Sequence, residues 1–265
     1  MLRLKAGEWQ AEVYPQCGMN LTALTFAGKP IFRTPADEQV LRENLYLYGN
    51  PLLMPANRTK DGRFIFCGKV YELPINEPAR GNNLHGLMAD APFEVVRQTE
   101  NEVCAIYQNR GERYPFVFDL IITDTLTVQG WRREVKLQAK EDMPYTLAFH
   151  STFLEPERFS VPIGRRFVCN ENYIPNGEMV PAEPLGKVIS GFYEAEKHVA
   201  MVEEYLFTVS ENFDHWILFN GGGEQGFLCI EPQCGGVNGL NSNAHRILRG
   251  GERDTFTLSL ERKCL

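Results

Sequence analysis

The sequence predicts an all-β fold built from many short antiparallel strands. Apolar and polar residues alternate with a period of two in Phe116–Leu126, Trp131–Lys140 and Thr255–Glu261, the pattern of strands with one buried face. Turn-forming pairs such as Gln129-Gly130 separate these runs, which favours hairpin connections. The 265 residues are enough for one large β-sandwich, so we expect a single domain over residues 1–265.

One short helix is expected near the N-terminus. Thr34-Pro35-Ala36-Asp37 offers a capping residue, a proline suited to the first turn and an acidic third position. Val40, Leu41 and Leu45 then recur at helical spacing, and Gly49 is expected to end the helix. We expect this helix to be a structural lid at one end of the sheet.

The stretch Val161–Gly191 differs from the alternating runs. It is rich in proline and glycine and contains Pro175-Asn176-Gly177, a strong turn signal. We therefore expect long loops here, not a domain boundary.

Composition narrows the class of protein. The net charge of -7 and the pI near 5.4 argue against a nucleic-acid partner, whose binding requires many Lys and Arg side chains. No apolar run approaches the ~20 residues of a membrane span, and the start MLRLKAGEWQ has no secretory core. The seven cysteines include no C-x-x-C pair, so we expect reduced thiols and a cytoplasmic location.

The segment Gly226–Gly236 (GFLCIEPQCGG) is the first candidate for a functional site. Its apolar residues Phe227–Ile230 predict a buried strand that presents Glu231 at its end. A carboxylate in that position is costly to desolvate unless it is used. Pro232 lacks an N–H and is expected to stop the strand at the rim of a sheet. The alternative is a solvated turn.

Two of the five histidines lie in informative surroundings. His85 belongs to the polar stretch Asn82–Gly86, where a glycine lets other groups approach closely; an exposed loop histidine is the alternative. His150 lies on the predicted strand Tyr145–Leu154, on a face whose other residues are small, opposite an apolar core face. We expect room for a sugar above His150, with a merely solvent-facing histidine as the alternative.

Three further residues are candidates for ligand contacts. Asn57-Arg58 follow the apolar run Pro51–Pro55, and the guanidinium could donate paired hydrogen bonds to hydroxyls or form a structural salt bridge. Asp214 precedes His215, and strand alternation lets at most one of these two face a given site.

Motifs for other chemistries are missing from the sequence. There is no phosphate-binding P-loop, no G-x-S-x-G, and no histidine pair with metal-ligand spacing. Trp131 or Trp216 could offer an aromatic face to a sugar ring, although the core is the commoner place for a tryptophan. We therefore expect neither a cofactor nor a metal.

Taken in order, these segments resemble the aldose 1-epimerase (galactose mutarotase-like) family. The family commonly follows its second histidine with Pro-Tyr, where this chain has Ser151-Thr152. The resemblance extends over nearly the whole chain. The matching segments are Gly49–Arg58, Asn82–Gly86, Ala148–Phe153, Phe213–Phe219 and Cys229–Gly235, with weaker matches at Pro15–Leu21 and Tyr173–Pro181.

The resemblance implies a large antiparallel β-sandwich, the galactose mutarotase-like supersandwich, with a concave sugar-binding cleft and little helix. It also implies cofactor-independent interconversion of the α and β anomers of a hexose. Glu231 would be the general base that takes the anomeric hydroxyl proton, and His150 the general acid that protonates the ring oxygen. The substrate-binding residues would be His85, Arg58, Asp214 and Asn57.

Three alternatives stay open at this point. A hexose 6-phosphate epimerase would need basic groups near the cleft. A non-catalytic sugar-binding or sensor domain is compatible with Ser151-Thr152, and a metal-dependent sugar isomerase has less support. We expect a monomer or weak homodimer with a small sugar as its partner. The arginines available for a phosphate are Arg63, Arg80, Arg165 and Arg166.

Overall fold

The computed structural model describes residues 1–263. Strands account for 53% and helices for 4% of it, which confirms the all-β prediction. Within residues 1–263, no helix has the length and apolar character needed to cross a membrane.

Twenty-six strands and two short helices make up the described chain. The first group is β1 (Leu2–Ala6), β2 (Trp9–Tyr14), β3 (Asn20–Phe26), β4 (Lys29–Pro30), α1 (Glu38–Glu43), β5 (Leu52–Leu53), β6 (Arg58–Lys60), β7 (Arg63–Phe66), β8 (Lys69–Glu72) and β9 (Asn82–Leu84). The middle group is β10 (Glu94–Gln98), β11 (Glu102–Arg110), β12 (Val117–Leu126), β13 (Gly130–Ala139), β14 (Met143–Tyr145), β15 (Leu147–Phe149), β16 (Thr152–Leu154), β17 (Phe159–Ser160) and β18 (Ile163–Cys169). The last group is β19 (Pro175–Val180), β20 (Ser190–Ala195), β21 (Val199–Val202), β22 (Tyr205–Val209), β23 (His215–Phe219), β24 (Phe227–Cys234), α2 (Gly239–Ser242), β25 (Arg246–Leu248) and β26 (Arg253–Arg262).

Two eight-stranded sheets form the sandwich. Sheet I has the order β10-β11-β12-β13-β26-β22-β21-β17, and sheet II has the order β19-β18-β20-β23-β24-β15-β5, with β16 also paired to β24. Neighbouring strands in both sheets are antiparallel, as the sequence predicted. Strands β1 to β4 form a separate four-stranded sheet, and three two-stranded pairs complete the topology.

The main hydrophobic core lies between the two sheets. Phe207 of sheet I packs against Phe153 and Trp216 of sheet II, with ring centroids 5.5 Å and 6.2 Å apart. Trp131 and Trp216 are both buried in this core, so neither offers a face to a ligand. Burying a large apolar side chain of this kind contributes about 1.5–3 kcal/mol. The core cluster includes residues from Leu4 to Leu260.

The long alternating strands were predicted correctly, but the strand around His150 was not. β12, β13 and β26 match the expected runs within two residues at each end. The single strand expected over Tyr145–Leu154 is divided into β14, β15 and β16. The reason is that the backbone N–H of His150 donates to Pro51 O at 3.0 Å, and Ser151 Oγ donates to Asn50 Oδ1 at 2.7 Å. These bonds interrupt the ladder at His150-Ser151.

Helix α1 is shorter than predicted. Its N-cap is Asp37, which accepts from Val40 N, and the helix ends at Glu43, well before Gly49. Asn44 Oδ1 accepts hydrogen bonds from Tyr46 N and Leu47 N. A side chain that bonds the following backbone in this way offers an alternative to the next helical turn, so the chain leaves the helix there.

The expectation of long loops over Val161–Gly191 was wrong in part. This stretch contains β18 and β19, and Pro175-Asn176-Gly177 begins β19. β19 is the edge strand of sheet II. A proline can be placed there because an edge strand leaves one row of backbone groups unpaired.

A buried ion pair connects sheet I to the segment that leads into the site. Arg133 and Asp124 have fully buried side chains and form two hydrogen bonds of 2.8 Å. The same guanidinium donates to Met19 O at 2.7 Å and to Asn50 O at 3.0 Å. Because Asn50 Oδ1 also accepts from Ser151 Oγ, this cluster holds the side chain of the residue that follows His150.

Candidate active site

Glu231 lies in the middle of a buried strand, not at its end. β24 continues through Pro232 to Cys234, and all eight residues are buried, so the expectation that Pro232 ends the strand was wrong. Ile230 N donates to Ser151 O at 2.9 Å. By the register of the flanking pairs, Pro232 lies opposite Phe149, at the edge of the gap between β15 and β16. The carbonyl of Phe149 accepts from Ser151 N at 3.0 Å instead, so no donor is needed from Pro232.

His150 lies at this gap and contacts Glu231. The pairings on both sides of the gap keep one register, which places His150 directly opposite Glu231. His150 Nε2 is 3.3 Å from Glu231 Oε1, and the two side chains are only 6% and 3% exposed. The interruption of the strand therefore produces a close imidazole–carboxyl pair shielded from bulk water.

Burial moves the pKa values of the two groups in opposite directions. It raises the pKa of Glu231 from 4.5 to about 8 and lowers the pKa of His150 from 6.5 to about 4, because desolvation disfavours each charged form. At a pH between these two pKa values the pair holds one titratable proton, which is carried mainly by Glu231. Transfer of that proton to His150 gives a carboxylate and an imidazolium without exchange with solvent. After this transfer the pair contains both a base, the Glu231 carboxylate, and an acid, the His150 imidazolium.

His85 forms a wall beside the pair. Its backbone has φ +65°, and its N–H donates to Asn57 O at 2.7 Å. The ring centroids of His85 and His150 are 5.4 Å apart. Burial, then the charges of His150 and Arg58, hold the pKa of His85 well below 6.5. Nδ1 of this neutral ring is buried with no hydrogen-bond partner within residues 1–263.

Tyr46 covers both histidines. Its ring centroid is 4.8 Å from that of His85 and 6.4 Å from that of His150. Tyr46 is three residues beyond the end of α1 at Glu43. Because the helix ends early, Tyr46 belongs to the non-helical segment that covers the site.

Arg58 is held by an acidic residue that the sequence analysis did not identify. Its Nε and Nη2 donate to the two carboxylate oxygens of Glu77 at 2.9 Å and 2.8 Å. Arg80 and Asn82 donate to the same carboxylate. The guanidinium of Arg58 also stacks on Tyr173, 4.8 Å from the ring centroid. Arg58 is therefore both part of a salt bridge and a fixed donor at the site.

These side chains meet around one cavity of about 410 Å³. A cavity of this size is typical of small-molecule sites. Tyr46, Phe192 and Ile217 provide apolar lining between the polar groups. Five of the six residues that the sequence analysis proposed line this cavity: Asn57, Arg58, His85, His150 and Glu231.

Asp214 is the exception and corrects the expected site. It lies just before β23, outside the lining of the cavity. Its Oδ1 contacts His215 Nδ1 at 2.6 Å and accepts from Gly235 N at 2.9 Å. Ile217 pairs with Glu231, so Asp214 lies three residues, about 10 Å, further along the strand. Its carboxylate is occupied by His215 next to it and by the backbone of Gly235, which follows β24.

Several lining residues had no signal in the sequence. Tyr46 was assigned to a helix, and Tyr173 lay in a predicted loop. Phe192 belongs to no motif, and only pairing between distant segments brings it to the cavity. Glu77 also belongs to no motif; it lies outside the lining and acts on the site through its bonds to Arg58.

Comparison with known proteins identifies a protein family to which this chain is similar. Residues 1–190 match the family model for aldose 1-epimerase; four of the five cavity residues lie within this match and Glu231 lies beyond it. The uncharacterized protein YphB of Escherichia coli K12 is 30% identical over 112 residues, 40% of this chain and 37% of that protein. The uncharacterized protein YihR of the same strain is 25% identical over 182 residues, 65% of this chain and 58% of that protein. The matches thus cover less than two thirds of either relative.

A solved structure has the same fold. A galactose mutarotase-like protein from Clostridium acetobutylicum superposes with a TM-score of 0.89 over 99% of this chain and 95% of that chain, at 21% identity. Identity at this level shows the fold alone. The family match covers well over half of the sequence, and we conclude that the chain belongs to the aldose 1-epimerase family.

Proposed function

We propose that this protein is a cofactor-independent mutarotase that interconverts the α and β anomers of a hexose. The observation that carries the proposal is the contact of 3.3 Å between His150 Nε2 and Glu231 Oε1 at a cavity of about 410 Å³. Family membership supports the same class of reaction. We also propose that the protein works in the cytoplasm, in line with the free thiols of its six described cysteines.

The proposed reaction needs one proton acceptor and one proton donor. Glu231, as the carboxylate, takes the proton from the anomeric hydroxyl, while His150, as the imidazolium, gives its proton to the ring oxygen. The bond between C1 and the ring oxygen breaks, and the open aldehyde forms. After rotation about C1–C2 the ring closes on the other face, with both proton transfers reversed. Such acid–base assistance is typically worth about 10²–10⁴-fold.

The protonation state of the free site fits this scheme. The proton of the pair rests mainly on Glu231, and its transfer to His150 creates the two reactive forms together. A sugar hydroxyl that donates to Glu231 favours the carboxylate, because hydrogen bonds to a charged form stabilise it. Substrate binding therefore helps to prepare the pair.

The other cavity residues are proposed to hold the sugar. The imidazole of His85 and the fixed guanidinium of Arg58 line the cavity and can bond to hydroxyls. Asn57 adds an amide at the same wall, while Tyr46 and Phe192 offer apolar surface to the ring. Asp214 is not included, because it lies outside the cavity.

A phosphorylated hexose has less support. Arg58 and Arg80 share Glu77, and Arg165 forms a two-bond pair with Glu194. These cations are therefore already compensated by carboxylates.

The test compares initial rates of anomer conversion for freshly dissolved α-galactose, α-glucose and α-glucose 6-phosphate, by polarimetry or NMR. We expect acceleration with a free sugar and no change with EDTA. Acceleration only with the phosphate would favour the hexose 6-phosphate alternative, and loss with EDTA would favour a metal-dependent isomerase. Sugar binding without acceleration would leave a binding domain.

A further inference from the structure

Cys229 lies next to the acid–base pair, and the proposed reaction does not use it. It is two positions before Glu231 in β24, so both side chains leave the same face of the strand. The side chain is fully buried and the thiol is free. Within residues 1–263, the only hydrogen-bond contact of its sulfur is Thr152 Oγ1, at 3.5 Å.

Three groups able to ligate a metal converge at this point. A ring nitrogen of His150, the sulfur of Cys229 and a carboxylate oxygen of Glu231 all lie within 4.8 Å of one another. A tetrahedral zinc with bonds of about 2.0–2.3 Å separates its ligand atoms by roughly 3.3–3.6 Å. The His150–Glu231 separation of 3.3 Å already has this value, and the sulfur lies within 4.8 Å of a ring nitrogen of His150 and of a carboxylate oxygen of Glu231.

We propose that Cys229, His150 and Glu231 form a binding site for a soft divalent cation such as Zn²⁺, and that the bound ion inhibits the sugar reaction. Thiolate, imidazole and carboxylate are the ligands that zinc takes, and three protein ligands leave one position free. His150 and Glu231 line the cavity, so the ion could be reached from there. The inhibition rests on the proposed function, whereas the binding does not.

Inhibition follows from the atoms that the metal occupies. The lone pair of the His150 nitrogen and the carboxylate of Glu231 are the groups that would carry protons to and from the sugar. Once both are bound to the cation, neither can accept or deliver a proton. The ion would therefore compete with catalysis without any change in the fold.

The proton balance of binding is defined. The Cys229 thiol gives its proton to solvent as the sulfur–metal bond forms, and Glu231 gives up its carboxyl proton as it coordinates. His150 binds as the neutral imidazole and keeps its other N–H. Burial, then the neighbouring Glu231, raise the pKa of the Cys229 thiol, so the metal-free thiol holds its proton near neutral pH. No group is oxidised or reduced.

Cadmium is the probe for binding, because a cadmium–thiolate bond absorbs in the near ultraviolet whether or not the protein is active. The background variant is Cys67→Ser, which removes an exposed thiol. We expect one equivalent of Cd²⁺ to produce the band in this background, with release of two protons, and we expect no band after the further change Cys229→Ser or Cys229→Ala. A band that persists in both double variants overturns the site. Zinc should also raise the Tm of the background and not that of the Ala variant, which checks the result if the Ser variant folds poorly.

Activity provides the second arm. Zn²⁺ should abolish sugar turnover in the background and EDTA should restore it, while Cys229→Ala weakens the inhibition by more than about tenfold, the loss that even outer partners of a metal site can cause. Equal inhibition of both proteins, or activation by Zn²⁺, overturns the inhibitory role. If no variant turns over any sugar, the proposed function has failed, and the cadmium band still decides the metal site by itself.

Discussion

Replacement of Glu231 by glutamine should change the pH dependence of stability in a direction that the site geometry fixes. Glu231 has a pKa of about 8 in the folded protein against 4.5 ordinarily. A carboxyl with a raised pKa stabilises the fold fully below pH 4.5, and this contribution is lost as the pH rises through about 8. In that window the folded wild type keeps a proton that the unfolded chain releases.

The size of the expected effect follows from the linkage between proton binding and folding. Within this window the wild type should lose about 1.4 kcal/mol of unfolding free energy per pH unit through this one group. Glu231→Gln is nearly isosteric and cannot ionise, so its stability relative to wild type should rise steadily from pH 5.5 to pH 8 and then level off. The contribution of His150, which changes between pH 4 and 6.5 because burial lowers its pKa from 6.5 to about 4, is shared by both proteins and cancels in the comparison.

The assay is urea unfolding at pH 5.5, 6.5, 7.5 and 8.5, followed by the fluorescence of the buried tryptophans. Glu94→Gln serves as the control, because Glu94 is exposed on the edge strand β10 and makes no salt bridge within residues 1–263. The difference between Glu94→Gln and wild type should be small at every pH. A Glu231→Gln difference that stays constant with pH would refute the assignment of Glu231 as a buried, protonated carboxyl.

Three other predictions concern the site and its support. The pH profile of kcat/KM should be bell-shaped with limbs near 4 and 8, the limits within which the pair holds one proton; a flat profile from pH 5 to 9.5 would contradict it. Glu77→Gln should raise KM about tenfold with little change in kcat, because Arg58 loses a charged two-bond partner, whereas Glu102→Gln, in an exposed pair, should change neither constant. Asp124→Ala should lower the unfolding free energy by about 3–5 kcal/mol in urea titrations, because it leaves the buried Arg133 charge uncompensated; a loss below about 1 kcal/mol would show that the pair is dispensable.

The long strands could be predicted because their signal is local. Alternation in β12, β13 and β26 arises from one buried face on each strand, and it is visible in the sequence without knowledge of the partner strand. Alternation did not predict the extent of β24, because both faces of that strand are buried. There the pattern around Glu231 resembles the end of a short apolar strand, and the continuation past Pro232 depends on a gap in another segment.

The site was predictable only where a motif carried it. The family resemblance brought forward His85, His150 and Glu231, which the structure places around one cavity. It could not locate Asp214, whose side chain accepts a hydrogen bond from Gly235 N, 21 residues further along the chain. Nor could it find Glu77, because the bond to Arg58 joins residues 19 positions apart that no periodic pattern links.

The central claim is that His150 and Glu231 act as one proton-transfer unit, and a double-mutant comparison tests it most directly. Rates of α-to-β conversion of galactose or glucose would be measured by NMR for wild type, Glu231→Gln, His150→Asn and the double variant. We expect each single change to lower kcat by about 10²–10⁴-fold, and the double variant to be little worse than the poorer single one, because residues of one catalytic unit are strongly non-additive. Losses that multiply in the double variant, or either single variant with a near-wild-type rate, would contradict the claim.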